Sequence, residues 1–396
     1  MHEAAMHTAP GERERSEHIR WLLELTAIPT AAGREHRVMD WIRRWVAARP
    51  DIRLESDAAG NMVLKLADEA PAADPLLFIT AHLDHPAFVI DSFIGEGTVN
   101  AGFRGGVLDP YFTGAGVSFY PDGQTPVRGK VIESRAREPW RQCVIDLADP
   151  AQAAASGLKP GDMGRWDLPD PEIRDGQLHT HACDDLAAVA AALAALDVVR
   201  VRSPRARVRL LFTRAEEVGF IGAIAACRRG TMPKGSRVIA LENSRSFPLD
   251  SPIGGGVIIR VGDRLSTFSP RLTGACVRVA ELLAKQRSDP ANPFRWQRKL
   301  MAGGACEASC FMAHGYESTC ICLPLGNYHN MADLERVQAG QPEAVAGAKV
   351  AHEFISIADF TAMIDLLAAI GTSVLGEESS TALFEKLYDQ RAFVLE

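Results

Sequence analysis

Four short, mostly apolar runs, residues 76–81, 208–213, 238–241 and 319–325, constrain the fold of this chain more than any other feature. A strand with one face in water alternates polar and apolar residues. These runs do not alternate, so both of their faces must be covered, as in a parallel sheet packed between helices. Helical periodicity supplies the covers: residues 16–25 and 37–48, separated by a loop at 29–34 with Gly33, then the Ala/Leu/Val-rich segment 185–199, then 220–227 and 354–375. The reading is an α/β domain with a mixed sheet.

Residues 90–178 differ in character. They are rich in Gly, Pro, Val and Thr, with turn signals at Pro121-Asp122-Gly123, Lys159-Pro160-Gly161-Asp162 and Arg174-Asp175-Gly176. Short strands are expected at 116–120, 129–134 and 144–146. A length of 396 residues exceeds one ordinary core. The division that follows is a discontinuous α/β domain, 1–90 and 178–396, interrupted by a β-rich insertion at 91–177. No internal repeat or low-complexity segment interrupts this pattern.

A formal charge of -7, spread along the sequence, argues against a phosphate backbone as partner. Eight scattered cysteines read as buried thiols in a reducing compartment, since a chain this long needs no staples. Cys306 and Cys310 with Cys320 and Cys322 lack the tandem CxxC spacing of a structural zinc site. The first fifteen residues carry no apolar core of a signal peptide, and no stretch reaches the length of a membrane span. A cytoplasmic protein is the expectation.

The acids and histidines fall at particular places. His82 and Asp84 follow the first apolar run, Glu216 and Glu217 the second, Glu242 ends the third, and His329 follows the fourth. Asp184 and Asp185 precede the helix opening at Leu186. In an open α/β sheet, residues just beyond the strand C-termini meet at one edge, where ligands bind. Each residue taken singly has a plainer reading: a loop histidine, a helix N-terminal acid, a solvated Glu-Glu pair. Gathered together, uncompensated acids repel, and a cation relieves them. Imidazole with carboxylate and no thiolate suits zinc, cobalt or manganese. Five protein ligands, one of them bridging, suit two metals about 3.5–4 Å apart. Asp84 is either a turn acid or the group that orients the His82 imidazole.

With these motifs in order, the chain resembles the M42 family of metallo-aminopeptidases, relatives of the wider M28/M20 group. The resemblance runs through Asp57-Ala58-Ala59-Gly60-Asn61, Ala81-His82-Leu83-Asp84, Ala182-Cys183-Asp184-Asp185 and Glu216-Glu217-Val218-Gly219. It continues through 254–256 into Arg260-Val261-Gly262-Asp263, and Gly303-Gly304 ahead of the last strand. It implies that Asp184 bridges two metals, with His82 and Glu242 completing one site and Glu217 and His329 the other. It further implies Glu216 as general base, Asp84 as the orienting partner of His82, and a cis peptide between Asp184 and Asp185. The substrate implied is a short peptide, and the assembly a homo-oligomer, a dimer or larger, built through the β-rich insertion.

Three departures bear on specificity. Glu242 stands where the family usually has Asp. The segment Gly326-Asn327-Tyr328-His329-Asn330-Met331 replaces a more basic Arg-Tyr-Met-His-Ser. Gly303-Gly304-Ala305-Cys306-Glu307 lacks the usual Thr-Asp. A side-chain preference therefore does not transfer. A carboxypeptidase or an N-acyl amino acid deacylase on the same fold stays open. A glycosidase requires two carboxyls facing across a sugar, which this mixed histidine pattern does not resemble. A non-enzymatic binding protein on a dead hydrolase fold would be expected to have lost ligands, and all these positions carry competent side chains.

Overall fold

The computed structural model of the chain describes residues 10–71, 75–122, 125–289, 293–373 and 381–395. Residues 1–9, Gly123 of the Pro121-Asp122-Gly123 turn, and the end of the 354–375 helical pattern lie outside the described residues. From the N-terminus run α1 (Glu12–Thr26), α2 (His36–Ala47), β1 (Ile52–Ser56), β2 (Met62–Leu66) and β3 (Leu77–His82). Next come β4 (Ala87–Phe93), β5 (Thr98–Arg104), β6 (Gly116–Phe119), β7 (Val127–Arg135) and β8 (Arg141–Leu147), then α3 (Pro150–Ala155) and β9 (Met163–Trp166). The chain continues through β10 (Glu172–Arg174), β11 (Gln177–Thr180), α4 (Leu186–Arg202), β12 (Val208–Thr213), α5 (Ile221–Arg229), β13 (Arg237–Arg245) and β14 (Val257–Asp263). Then follow α6 (Pro270–Gln286), β15 (Trp296–Met301), α7 (Glu307–Ala313), β16 (Glu317–Leu325), α8 (Leu334–Gln338) and α9 (Pro342–Ala346). The last elements are β17 (Glu353–Ser356), α10 (Ile357–Thr372) and α11 (Thr381–Arg391).

The main sheet has eight strands in the order β1-β2-β12-β3-β13-β16-β14-β15. The four apolar runs form its centre, β12, β3, β13 and β16, and all four are parallel to their neighbours within that group. Strands β2 and β14 pack antiparallel on either side, which makes the sheet mixed. The pleat explains why the runs do not alternate. Ile79 of β3 joins the core under α1, α4 and α10, while its neighbour Phe78 joins the opposite core under α5 and α7. Each residue of such a strand is buried on one face or the other.

Helix α4 is buried on nearly every side, wrapped by α1, α10 and the sheet, which accounts for its Ala/Leu/Val composition. Small alanines let the surrounding elements approach closely. A second sheet, β4-β5-β8-β7-β6-β9, closes into a barrel around Phe88, Phe103, Phe112 and Trp166, whose rings meet mostly edge to face. All eight cysteines are buried free thiols. No helix among the described residues is long and apolar enough to cross a membrane.

Two expectations are corrected. Glu242 does not end its strand, because β13 runs on to Arg245 beside β16. The helical pattern expected from residue 354 begins as a strand: Glu353–Ser356 pairs antiparallel with β11, and the helix starts only at Ile357. The local apolar spacing suits either state, and the pairing decides it. Ser356 then caps α10 by accepting the N–H groups of Ala358 and Asp359.

Candidate active site

Because the central strands are parallel, the ends of β3, β12 and β16 deliver their residues to one edge of the sheet, beside Glu242 of β13. There a cavity of about 890 Å³ is lined by His82, Asp184, Glu216, Glu217, Glu242 and His329. Its size suits a small organic ligand. Six of the seven residues singled out in the sequence open into it. Asp84 is fully buried beneath.

Asp184 sits between the two imidazoles. Its Oδ1 lies 3.3 Å from His82 Nε2, and its Oδ2 lies 3.6 Å from His329 Nε2. His329 Nε2 is also 3.3 Å from Glu217 Oε1, and His82 Nε2 is 3.9 Å from Glu216 Oε2. The second nitrogen of each ring is held elsewhere. His82 Nδ1 lies 3.1 Å from the Asp84 carbonyl oxygen and 3.5 Å from Asp84 Oδ1. His329 Nδ1 lies 2.6 Å from the carbonyl oxygen of Gly106, a residue of the loop after β5. Both Nδ1 atoms thus face acceptors, which fixes them as the protonated nitrogens and turns each Nε2 lone pair toward the carboxylates.

Asp84 has a second task. Its two oxygens accept the backbone N–H groups of Glu216 (2.9 Å) and Glu217 (3.1 Å), which fastens the acid pair beneath the cavity floor. Glu242 is buried and lines the cavity, but its Oε2 accepts the N–H of Asn243 at 3.1 Å. It stands outside the three sets of ligand atoms at this edge of the sheet that lie within 4.8 Å of one another, His82–Asp184–Asp185, His82–Glu216–Glu217 and Asp184–Glu217–His329. The Asp184–Asp185 peptide bond is cis.

Whether this site fits metal ions can be judged from its polar atoms. Asp184 Oδ1 and Glu217 Oε1 are buried and have no hydrogen-bond partner among the described residues, although each has an imidazole nitrogen 3.3 Å away. Two ligand atoms bonded at about 2.0–2.1 Å to one tetrahedral zinc stand about 3.3–3.4 Å apart. The spacing is that of co-ligands, and the donor set is the imidazole and carboxylate of a borderline divalent ion. The site fits.

Its electrostatics agree. Burial raises the Glu216 carboxyl well above the carboxylate range, and Glu217, Glu307 and Asp84 raise it further against the opposing His82. Burial likewise raises Glu242, with the charges of Asp184 and Glu216 adding. For His82 burial acts downward, but the carboxylates of Glu216, Asp184 and Asp84 win and hold its pKa well above normal. Burial would raise Asp184, yet the imidazoles of His329 and His82 keep it below the usual range. Several acids here are difficult to ionise together without added positive charge.

Three supporting residues were given no role from the sequence. Glu353 Oε2 accepts the N–H groups of Cys183 (2.7 Å) and Asp184 (3.0 Å), while its Oε1 accepts that of His329 (2.8 Å). One buried carboxylate thereby ties together two segments that carry site residues. Asp185 accepts the His82 N–H (3.2 Å) and the Asn243 side-chain amide (2.8 Å). His85 faces the Asp184 carbonyl oxygen through Nδ1 and Asn330 Oδ1 through Nε2. Of these, only Asp185 and His85 have a signal in sequence, their adjacency to Asp184 and Asp84. His179 lies in β11, stacked on Phe354, and His181 follows that strand with Nε2 on the Leu168 carbonyl at 3.2 Å. Neither lines the cavity.

A model of the M42 glutamyl aminopeptidase family matches residues 60–341. No curated protein matches the sequence. Among solved structures, an aminopeptidase from the archaeon Desulfurococcus kamchatkensis superposes with a TM-score of 0.71 at 20% identity, covering 94% of this chain and 98% of that one. The Pyrococcus horikoshii TET1 peptidase, described as assembling into a tetrahedron or a large octahedral shell, superposes at 0.69 with 20% identity over 90% of this chain and 100% of its own. A Thermotoga maritima protein described as an endoglucanase shares the fold at a TM-score of 0.62 and 17% identity, over 89% of this chain and 96% of that one. At these identities the likeness is one of fold.

Proposed function

The chain belongs to the M42 glutamyl aminopeptidase family, and from that premise we propose that it removes N-terminal residues from short peptides using two divalent cations, zinc ahead of cobalt or manganese. The membership makes it a metal-dependent peptidase. The residue roles are our assignment. Asp184 would bridge the two ions, His82 and Glu242 would complete one site, and Glu217 and His329 the other. The observation that carries this reading is Asp184 with one oxygen toward each imidazole, while its Oδ1 and Glu217 Oε1 lack protein donors. Glu242 joins its site by a side-chain rotation away from the Asn243 N–H, which its length allows.

When bound, the cations supply Lewis acidity for the scissile carbonyl and for the attacking water. Glu216 takes the proton of that water and returns it to the leaving amine. Burial pushes the pKa of its carboxyl upward, which makes it a stronger proton acceptor than an exposed glutamate. Asp84 holds the Glu216 backbone and the His82 ring in register with each other. The walls include Arg245, Arg260, Arg264 and Lys299, so the substrate also meets positive charge, and Arg260 acts on Glu242 itself. The acids here come with two imidazoles, each within 3.6 Å of Asp184, a metal-ligand pattern rather than the two-carboxyl pattern of glycoside hydrolysis.

The experiment is hydrolysis of aminoacyl anilides and their N-acetylated counterparts by chelated enzyme reloaded with zinc, cobalt or manganese. Cleavage of the free-amine compounds alone is expected, with Glu216→Gln slower by about 10²–10⁴-fold while metal content is kept. Cleavage of the acylated compounds alone would replace this reading with a deacylase. We also read residues 91–177, which hold most of the barrel, as a second unit and as the site of self-association. Phe93, Ile94 and Ile132 of the barrel are exposed, and the Pyrococcus horikoshii relative forms shells. A dimer or larger assembly is expected by light scattering, and a monomer refutes it.

A further inference from the structure

We propose that Cys227, Cys310 and His314 form a separate binding site for a thiophilic divalent cation such as zinc, on the face of the sheet opposite α4. Cys227 lies in α5, Cys310 in α7, and His314 caps the C-terminal end of α7 one turn beyond Cys310. The two helices pack side by side against the sheet. One ligand atom from each of the three residues lies within 4.8 Å of the others, and Cys310 Sγ is 3.8 Å from His314 Nδ1. Ligands around a tetrahedral zinc, with Zn–S near 2.3 Å and Zn–N near 2.0–2.1 Å, stand about 3.5–4 Å apart.

Exposure separates these thiols from the rest. Cys227 and Cys310 retain 7% and 9% of their surface, whereas the other six cysteines show 0%. An ion from solvent can therefore reach this pair, and the half-buried His314 stands at its mouth. Cysteine binds a metal as the thiolate, so binding here releases protons and tightens as pH rises. Lys234, whose Nζ donates to the His314 carbonyl at 3.2 Å, adds positive charge nearby. His314 Nδ1 also lies 2.8 Å from the Cys310 carbonyl oxygen, so binding an ion through Nδ1 would exchange that contact for the metal. Three protein ligands leave a fourth position for water.

The site would pin the C-terminal ends of α5 and α7 together. Their N-terminal ends are next to the cavity: α5 follows the Glu216-Glu217 loop, and α7 opens with Glu307, whose Oε2 accepts the Thr80 hydroxyl beneath His82. An ion here braces two elements that flank the hydrolytic site without entering it. This inference is independent of the roles assigned to the cavity residues.

Cobalt(II) distinguishes the two kinds of site, because only thiolate ligands give a sulfur-to-cobalt charge-transfer band in the near ultraviolet. The cavity's candidate ligand sets are nitrogen and oxygen, and no cysteine is among its lining residues. Chelated protein, kept reduced with a phosphine, is titrated with cobalt(II) and then back-titrated with zinc. We expect a charge-transfer band whose full intensity corresponds to one thiolate-bound cobalt per chain, whatever the cavity takes up, and which zinc displaces. Cys310→Ser should abolish the band. His314→Gln, at a half-exposed position that does not threaten folding, should weaken that equivalent by at least about tenfold, since even partners outside the ligand shell contribute 10–100-fold. Cys306→Ser should leave the band unchanged. No band in the wild-type protein, or a band lost only in Cys306→Ser, would overturn the proposal.

Discussion

His181 is the clearest point at which a charge state should govern the stability of this fold. Its ring is buried, with Nε2 on the Leu168 carbonyl and the His352 ring edge-on at 5.2 Å. Burial, then the charge of Arg165, lowers its pKa from 6.5 to about 3. Neutral His181 is therefore a condition of the native state. A base depressed in the folded protein contributes stability that is complete above the unfolded pKa and lost as pH falls toward the folded one. The window runs from pH 6.5 down to about 3. A shift of this size corresponds to a total on the order of 4–5 kcal/mol, of which about 2 kcal/mol is gone by pH 5. Replacement by Gln keeps an N–H for the Leu168 carbonyl and removes the proton-binding site. The assay is urea unfolding of wild-type protein and His181→Gln from pH 7.5 to pH 5. The difference between them cancels the titration of all other groups that the substitution leaves undisturbed. The advantage of wild type over variant should shrink by about 2 kcal/mol across that range. A constant difference would mean that the imidazole accepts its proton without cost, and the argument from burial would fail.

Two further outcomes test the support of the cavity. Glu353→Gln keeps the shape of the side chain but turns an amide N–H₂ toward one of the three backbone donors that the carboxylate now accepts; metal affinity measured by competition with a chromogenic chelator should fall about 10–100-fold, and unchanged affinity would refute its holding role. Glu242 is raised by burial and by the charges of Asp184 and Glu216, so Glu242→Gln should raise the melting temperature of chelated protein and lower it in saturating zinc. A change of the same sign in both conditions would remove Glu242 from the ligand set.

Much of this architecture is legible in the amino-acid sequence because it depends on local, periodic constraints. A run such as 208–213, apolar but for Arg209 and Thr213, reads as a strand covered on both faces, and β12 occupies those same residues. Helix α4 declares itself by the absence of any polar face. Acids and histidines placed just beyond such strands have one edge of the sheet at which to meet, and that is where His82, Glu216, Glu217 and His329 lie. Tertiary structure decided the rest. Glu353 carries no local mark, and it became the tie between Asp184 and His329 because β17 pairs with β11 across some 170 residues of chain. The same pairing turned residues 354–356 from an expected helix into a strand. Cys227 and Cys310 are 83 positions apart in sequence, and only the packing of α5 on α7 puts their sulfurs together. Periodicity reports how a residue meets the core. Partners distant in sequence are chosen by the packing of whole elements, whose energy is spread over many contacts and written at no single position.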